Sequence, residues 1–184
     1  PEVILATNTS AIPITKIASA TKYPERVVGT HFFSPVPLMM VVEVVKGMRT
    51  SEETMENSRK WVCSLGKEYI NVNKDIAGFV LNRINIPSTI EAIRLVEAGV
   101  TTPEDIDKGM RLAFGRAMGP FETGDMTGID AAHNAYFNIY AETNDPKFLP
   151  PALLQRMVQA GLHGRKAGKG WYDYNSDGTK KERK

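Results

Sequence analysis

Arg26-Val27-Val28-Gly29-Thr30-His31-Phe32-Phe33-Ser34-Pro35-Val36-Pro37-Leu38-Met39-Met40-Val41-Val42-Glu43-Val44-Val45 is the stretch on which the fold turns. Two runs rich in β-branched and aromatic residues flank a loop punctuated by prolines, so both runs read as buried strands. Upstream, Val3-Ile4-Leu5-Ala6 is a further short apolar run that ends in Thr7-Asn8-Thr9-Ser10. Pro13 then precedes Ile14, Ile17 and Ala18 at helical spacing. Downstream, Ser51-Glu52-Glu53-Thr54 opens a segment with Met55, Val62 and Leu65 on one face and Gly66 at its end, and Tyr69 to Val72 reads as a last short strand. Strands alternating with helices of this length predict an α/β sheet over residues 1–75.

The composition changes between Asp75 and Gly78, and beyond it strand signals nearly vanish. Ala92, Ile93 and Val96 recur at helical spacing until Gly99. Thr102-Pro103-Glu104-Asp105 supplies an N-cap, a proline at the first helical position and an acid three residues after the cap. Pro120 and Pro151 open helical segments over Phe121 to Met126 and Ala152 to Ala160, with Asp130 to Glu142 between them. Residues 76–184 therefore read as a second, all-helical domain. It closes on the glycine-rich, basic His163-Gly164-Arg165-Lys166-Ala167-Gly168-Lys169-Gly170, then Trp171-Tyr172-Asp173-Tyr174 and a tail expected to fray from Lys180 to Lys184.

With 42% hydrophobic and 24% charged residues, the 184-residue chain has the composition of an ordinary globular protein. Its net charge of +2 and scattered Lys and Arg argue against a nucleic-acid partner. A single cysteine, Cys63, excludes an internal disulfide framework, no Cys/His cluster has metal-ligand spacing, and a reducing compartment, the cytoplasm, is expected. No stretch approaches the roughly 18 consecutive apolar residues of a membrane-spanning helix, and no secretory signal is expected. Because strand-like residues begin almost at Pro1, the expectation is a fragment that starts in the middle of a domain.

In open α/β sheets, ligands bind beyond the carboxyl ends of the strands. His31 stands near one such end and Ser10 follows another. Glu43, flanked by valines, is costly to bury without a partner, and an imidazole is a suitable one. If the two touch, the carboxylate fixes the tautomer of His31 and stabilises the imidazolium formed when it removes a proton, the task of a general base near neutral pH. Plainer readings stand beside this one. His31 could be a satisfied structural residue, Glu43 could be exposed at a sheet edge, and Ser10 could only cap the following helix. Asn82 either faces solvent from a helix or is aimed into an interdomain cleft. The loop around Lys166 either binds an anion or is simply solvated.

Taken together, Asn8-Thr9-Ser10, His31-Phe32-Phe33-Ser34-Pro35-Val36-Pro37, Val42-Glu43-Val44, Gly78-Phe79-Val80-Leu81-Asn82-Arg83, Met118-Gly119-Pro120-Phe121-Glu122 and Gly164-Arg165-Lys166-Ala167-Gly168-Lys169-Gly170-Trp171-Tyr172 closely resemble the L-3-hydroxyacyl-CoA dehydrogenases, the small bacterial 3-hydroxybutyryl-CoA dehydrogenases in particular. The resemblance implies the remnant of a Rossmann sheet followed by an all-α domain of the 6-phosphogluconate dehydrogenase C-terminal-like kind, with a homodimer formed through the helical domain. It implies that His31 is the catalytic base and Glu43 the acid that orients it. Ser10 would lie near both substrate and cofactor, Asn82 would bond the thioester of an acyl-CoA substrate, and Lys166 would reach the NAD or NADP cofactor. The reaction implied is the interconversion of (S)-3-hydroxyacyl-CoA and 3-ketoacyl-CoA, within fatty-acid and butanoate metabolism.

Two departures accompany the resemblance. Ser34 stands where the family usually has an asparagine near the nicotinamide ribose; its single hydroxyl can still bond there. No Gly-x-Gly-x-x-Gly occurs in the chain, although that turn sets a dinucleotide pyrophosphate on a helix N-terminus. The expectation is a piece that carries the catalytic groups without most of the cofactor site and turns over little or no substrate alone. The alternatives are a dimerisation or scaffold module, and a dehydrogenase of a non-CoA hydroxyacid on the same scaffold.

Overall fold

The computed structural model describes residues 2–181. Among them the strands β1 (Leu5–Thr7), β2 (Val27–Phe32), β3 (Val41–Val45) and β4 (Glu68–Val72) form one sheet in sequence order. β1 and β2 are parallel, β2 and β3 antiparallel, and β3 and β4 parallel. Parallel neighbours need a crossover, which α1 (Ile14–Ala18) and α2 (Glu52–Ser64) supply; the loop after Phe32 lets β3 turn straight back.

Side chains alternate between the faces of a strand, so Val27, Gly29 and His31 share one face of β2, and Glu43 and Val45 share the matching face of β3. Ile14 and Ala18 of α1 pack there in a buried cluster with Val27, Val45, Val72 and Phe79. Gly29 permits that approach, because a Cβ on it would overlap Ile14 and Val45. Val28, Val42 and Val44 turn to the other face, against Met55 and Val62 of α2. Each fully buried aliphatic side chain contributes about 1.5–3 kcal/mol, and a one-residue slip would forfeit this while moving His31 and Glu43 to opposite faces of their neighbours. The register is thereby fixed. α2 starts on Ser51, whose hydroxyl accepts the Thr54 N–H at 3.1 Å, and it ends at Ser64. Leu65, expected in the apolar stripe, lies past that end and is exposed.

The chain divides into two compact units, Pro1–Ile84 and Asn85–Lys184, and α3 (Leu81–Glu97) begins in the first and continues into the second. α3 starts well before the stripe at Ala92 and carries Pro87 in its interior. The second unit adds α4 (Pro103–Phe114), α5 (Pro120–Thr127), α6 (Ile129–Thr143) and α7 (Ala152–Gln159). Thr102 caps α4 as its sequence predicts, accepting the Asp105 N–H at 3.2 Å. Two buried carboxylates tie the unit together. Asp107 accepts from the backbone N–H groups of Phe121 and Glu122, both at 3.0 Å, and from the Tyr172 hydroxyl at 2.7 Å. Asp125 accepts from the N–H groups of Trp171 at 3.0 Å and Tyr172 at 2.9 Å and from the Tyr174 hydroxyl at 2.9 Å.

The expected fraying does not begin at Lys180. That residue forms an antiparallel bridge with Tyr174, its ammonium lies over the Tyr172 ring, and the Lys181 N–H donates to the Asp173 carbonyl at 2.8 Å. The rest of the expected tail, residues 182–184, lies outside the described residues. No helix among the described residues is long and apolar enough to cross a membrane.

Candidate active site

His31 lies one residue before the end of β2, opposite Glu43 on β3, and both are buried. Its Nδ1 is 2.6 Å from Glu43 Oε2 and its Nε2 is 3.0 Å from Ser10 Oγ. A carboxylate can only accept, so Nδ1–H donates to Glu43, and the lone pair of Nε2 is left to accept from the Ser10 hydroxyl. This is the arrangement of an oriented base with its working nitrogen turned away from the carboxylate. Glu43 is 0% exposed, which removes the sheet-edge reading: β3 is an inner strand between β2 and β4. Its Oε1 accepts the N–H groups of Val80 at 3.0 Å and Leu81 at 2.9 Å, so three donors satisfy the buried carboxylate.

Ser10 is delivered by a polar turn. Thr9 Oγ1 accepts the Ile12 N–H at 2.9 Å, and Asn8 Oδ1 accepts the Phe32 N–H at 2.9 Å, which stitches the end of β1 to the strand that carries His31. Ser10 does not cap α1: Pro13 occupies that position, and no side chain bonds there. A hydroxyl three residues before the capping position is free to meet the imidazole instead. The His31 ring sits between Phe33, at 4.6 Å between centroids, and Phe79, at 5.5 Å and edge-on.

Ser10, His31 and Glu43 thus come together as one hydrogen-bonded line. Asn82, half-buried, is the second residue of α3, directly after the Leu81 amide bound to Glu43. Ser34 is exposed in the turn that follows β2. Lys166 belongs to the second unit, where its ammonium donates to Asp130 Oδ2 at 2.7 Å and holds the Asp130 carboxyl below the ordinary carboxylate range. The amides of Val80 and Leu81 and the rings of Phe33 and Phe79 were not singled out from sequence. A backbone N–H has no side-chain signature, and the aromatics read as plain core.

Among the described residues no three His, Cys, Asp or Glu side chains converge as a metal site. The hydroxyls of Ser10 and Ser34 and the Asn8 amide, at the carboxyl ends of β1 and β2, fit the polar, reactive end of a nucleotide cofactor. The glycine turn that would seat a pyrophosphate is not among these 184 residues. A cavity of about 560 Å³ lies elsewhere, where β3 and β4 finish, and is lined by Lys46, Met55, Arg59, Lys74 and Asp75 among others. None of the Ser10, His31 and Glu43 side chains lines it.

Known proteins resemble the chain along most of its length. Residues 1–76 match the family model described as 3-hydroxyacyl-CoA dehydrogenase, NAD binding domain, and residues 78–174 match 3-hydroxyacyl-CoA dehydrogenase, C-terminal domain. The chain is 42% identical over 95% of its length to a 3-hydroxybutyryl-CoA dehydrogenase of Mycobacterium tuberculosis, covering 61% of it, and 43% identical over 95% to one of Clostridioides difficile, covering 62%. The crystal structure of (S)-3-hydroxybutyryl-CoA dehydrogenase from Ralstonia eutropha matches with a TM-score of 0.88 at 42% identity, over 94% of this chain and 61% of that one. The chain therefore spans about three fifths of the length of the relatives it matches. With both family models matched in order along it, the chain belongs to the 3-hydroxyacyl-CoA dehydrogenase family.

Proposed function

We propose that these residues carry the proton-handling centre of an NAD(P)-dependent dehydrogenase that interconverts (S)-3-hydroxyacyl-CoA and 3-ketoacyl-CoA, with 3-hydroxybutyryl-CoA, the substrate in the names of the relatives, as its substrate. The observation that carries the reading is the line from Ser10 Oγ through the His31 imidazole to Glu43, with 3.0 Å and 2.6 Å contacts. The 3-hydroxyl of the substrate gives its proton to His31 Nε2 as the carbonyl forms, and Glu43 offsets the charge that appears on the ring. NAD or NADP, when bound, supplies the acceptor for the hydride that leaves C3. Ser10, already within bonding distance of Nε2, holds the reacting oxygen beside the base. Asn82 donates to the thioester carbonyl, and Ser34 and Lys166 contact the cofactor.

In the same reading the protein works in the cytoplasm, with an acyl-CoA as its small-molecule partner, and pairs with a second copy through the helical unit. Leu112 and Phe114 support the pairing, because both are large apolar side chains left on the surface of α4 at 78% and 74% exposure. Light scattering tests it; a monomer at micromolar concentration removes the homodimer.

The reaction is tested by following acetoacetyl-CoA reduction with NADH. The measurement compares the 184-residue chain with an extended polypeptide that carries the same residues behind a Gly-x-Gly-x-x-Gly segment. Turnover is expected from the extended polypeptide and little from the chain alone. A substrate panel that includes non-CoA hydroxyacids decides the substrate class, and preference for one of those would overturn the acyl-CoA reading.

A further inference from the structure

The segment that joins the sheet to α3 grips the His31–Glu43 pair from two directions. Asp75 anchors its start by accepting the Thr15 N–H at 2.5 Å, and the Phe79 N–H donates to the Ile76 carbonyl at 2.9 Å, closing a tight turn. Within that turn Phe79 adopts φ +45°, a conformation in which a non-glycine side chain crowds its own backbone. A bulky residue stays there only when its surroundings hold it, and Phe79 is 1% exposed, packed with Ile14, Val27, Val45 and Val72. Its ring also meets the imidazole edge-on. The conformation aims the next two backbone N–H groups, Val80 and Leu81, at the oxygen of Glu43 that does not face His31.

We infer that Phe79 and the Val80–Leu81 amides are positioning elements for the general base: the joining turn, and not the sheet alone, sets the orientation of the imidazole. The inference rests on the reaction proposed above. The physical reason is that a carboxylate bound at one oxygen only can rotate about its last bond, whereas bonds to both oxygens fix its plane. With Oε1 held by two amides, Oε2 has one direction in which to receive Nδ1–H, and the ring is then braced by Phe79 against turning. The start of α3 and the catalytic histidine are in this way parts of one hydrogen-bonded unit. Any shift of that helix start tilts the base.

The test replaces the Leu81 amide by an ester, with the corresponding α-hydroxy acid at that position, so that one N–H donor disappears and every side chain remains. Phe79→Leu is the second variant; it keeps most of the buried volume and removes the ring edge. Two readouts are taken: the proton resonance of His31 Nδ1–H in the 184-residue chain, and kcat and KM in the extended polypeptide. The resonance is expected to move in both variants. A donor to a charged group lost at one step of the chemistry predicts a fall in kcat of about tenfold for the ester, with KM within about twofold. An unmoved resonance, or a moved one with unchanged kcat, overturns the inference. Loss of activity that follows only a lowered melting temperature, with the resonance in place, overturns it as well. If the parent polypeptide lacks turnover, the proposed reaction has failed, and the resonance still reports whether the turn holds the imidazole.

Discussion

The sheet unit and the helical unit bury carboxylates by the same means and to different ends. Glu43, Asp107 and Asp125 are all 0–1% exposed, and each accepts two backbone N–H groups. The third donor separates them. Asp107 and Asp125 take a tyrosine hydroxyl, from Tyr172 and Tyr174, and burial beside a carboxylate pushes both phenols far above their ordinary range. Those protons stay where they are, and the two aspartates, themselves raised by burial, act as staples between α4, α5 and the closing loop. Glu43 takes an imidazole, whose other nitrogen faces the Ser10 hydroxyl at 3.0 Å. A buried carboxylate is thus a candidate catalytic signal only where its partner is a residue type competent for proton transfer.

That contrast can be broken. In the extended polypeptide, His31→Gln is expected to lower kcat by about 10²- to 10⁴-fold, the usual contribution of a positioned base, with little change in melting temperature. Undiminished turnover would make Glu43 one more staple. Asp125→Ala should do the reverse: it strands three buried donors and costs about 3 kcal/mol of stability, read by calorimetry on the 184-residue chain, while the folded fraction of the extended polypeptide keeps its kcat. Gly170→Ala sharpens the staple from the other side. A Cβ on Gly170 would overlap the Asp125 carboxylate, and overpacking of this kind costs about 1–3 kcal/mol, seen as an earlier denaturant midpoint.

The smallest effect belongs to the exposed pair of Asp130 and Lys166. Lys166 lowers the Asp130 pKa from its usual 3.8, so the folded chain binds that proton more weakly than the unfolded one. The pair therefore stabilises above that pH, and its contribution is lost as the pH falls through the lower folded value. Asp130→Asn should cost less than about 1 kcal/mol at neutral pH, screened further by salt, and nothing once the carboxyl is protonated. Melting curves at pH 7 and at successively lower pH check it, the difference being expected to shrink as the carboxyl takes up its proton. A loss that persists at the lower pH would mean that Asp130 acts through packing.

Much of this was readable from residue order. The valine runs around Gly29 and Glu43 announce two inner strands, Ser51 and Thr102 announce helix starts, and the buried valines around Glu43 call for a polar partner across the sheet. For Ser10 the sequence leaves a helix cap and a site contact both open, because short polar residues before a helix share one local pattern whether they bond its backbone or a distant side chain. Asp107 and Asp125 carry no sequence signal for a related reason: their donors lie 14 to 65 residues away, and nothing near them in sequence marks a carboxylate as buried.

Local pattern determined where strands and helices run, which faces are apolar and which residue types are competent for proton transfer, because period and propensity act over a few neighbours. Tertiary structure decided that β3 returns antiparallel to β2 so that Glu43 lies opposite His31, that Ser10 meets Nε2, and that the amides before α3 close on Oε1. Those choices are made by long-range burial and by the need of a dry carboxylate for donors, wherever along the chain they come from.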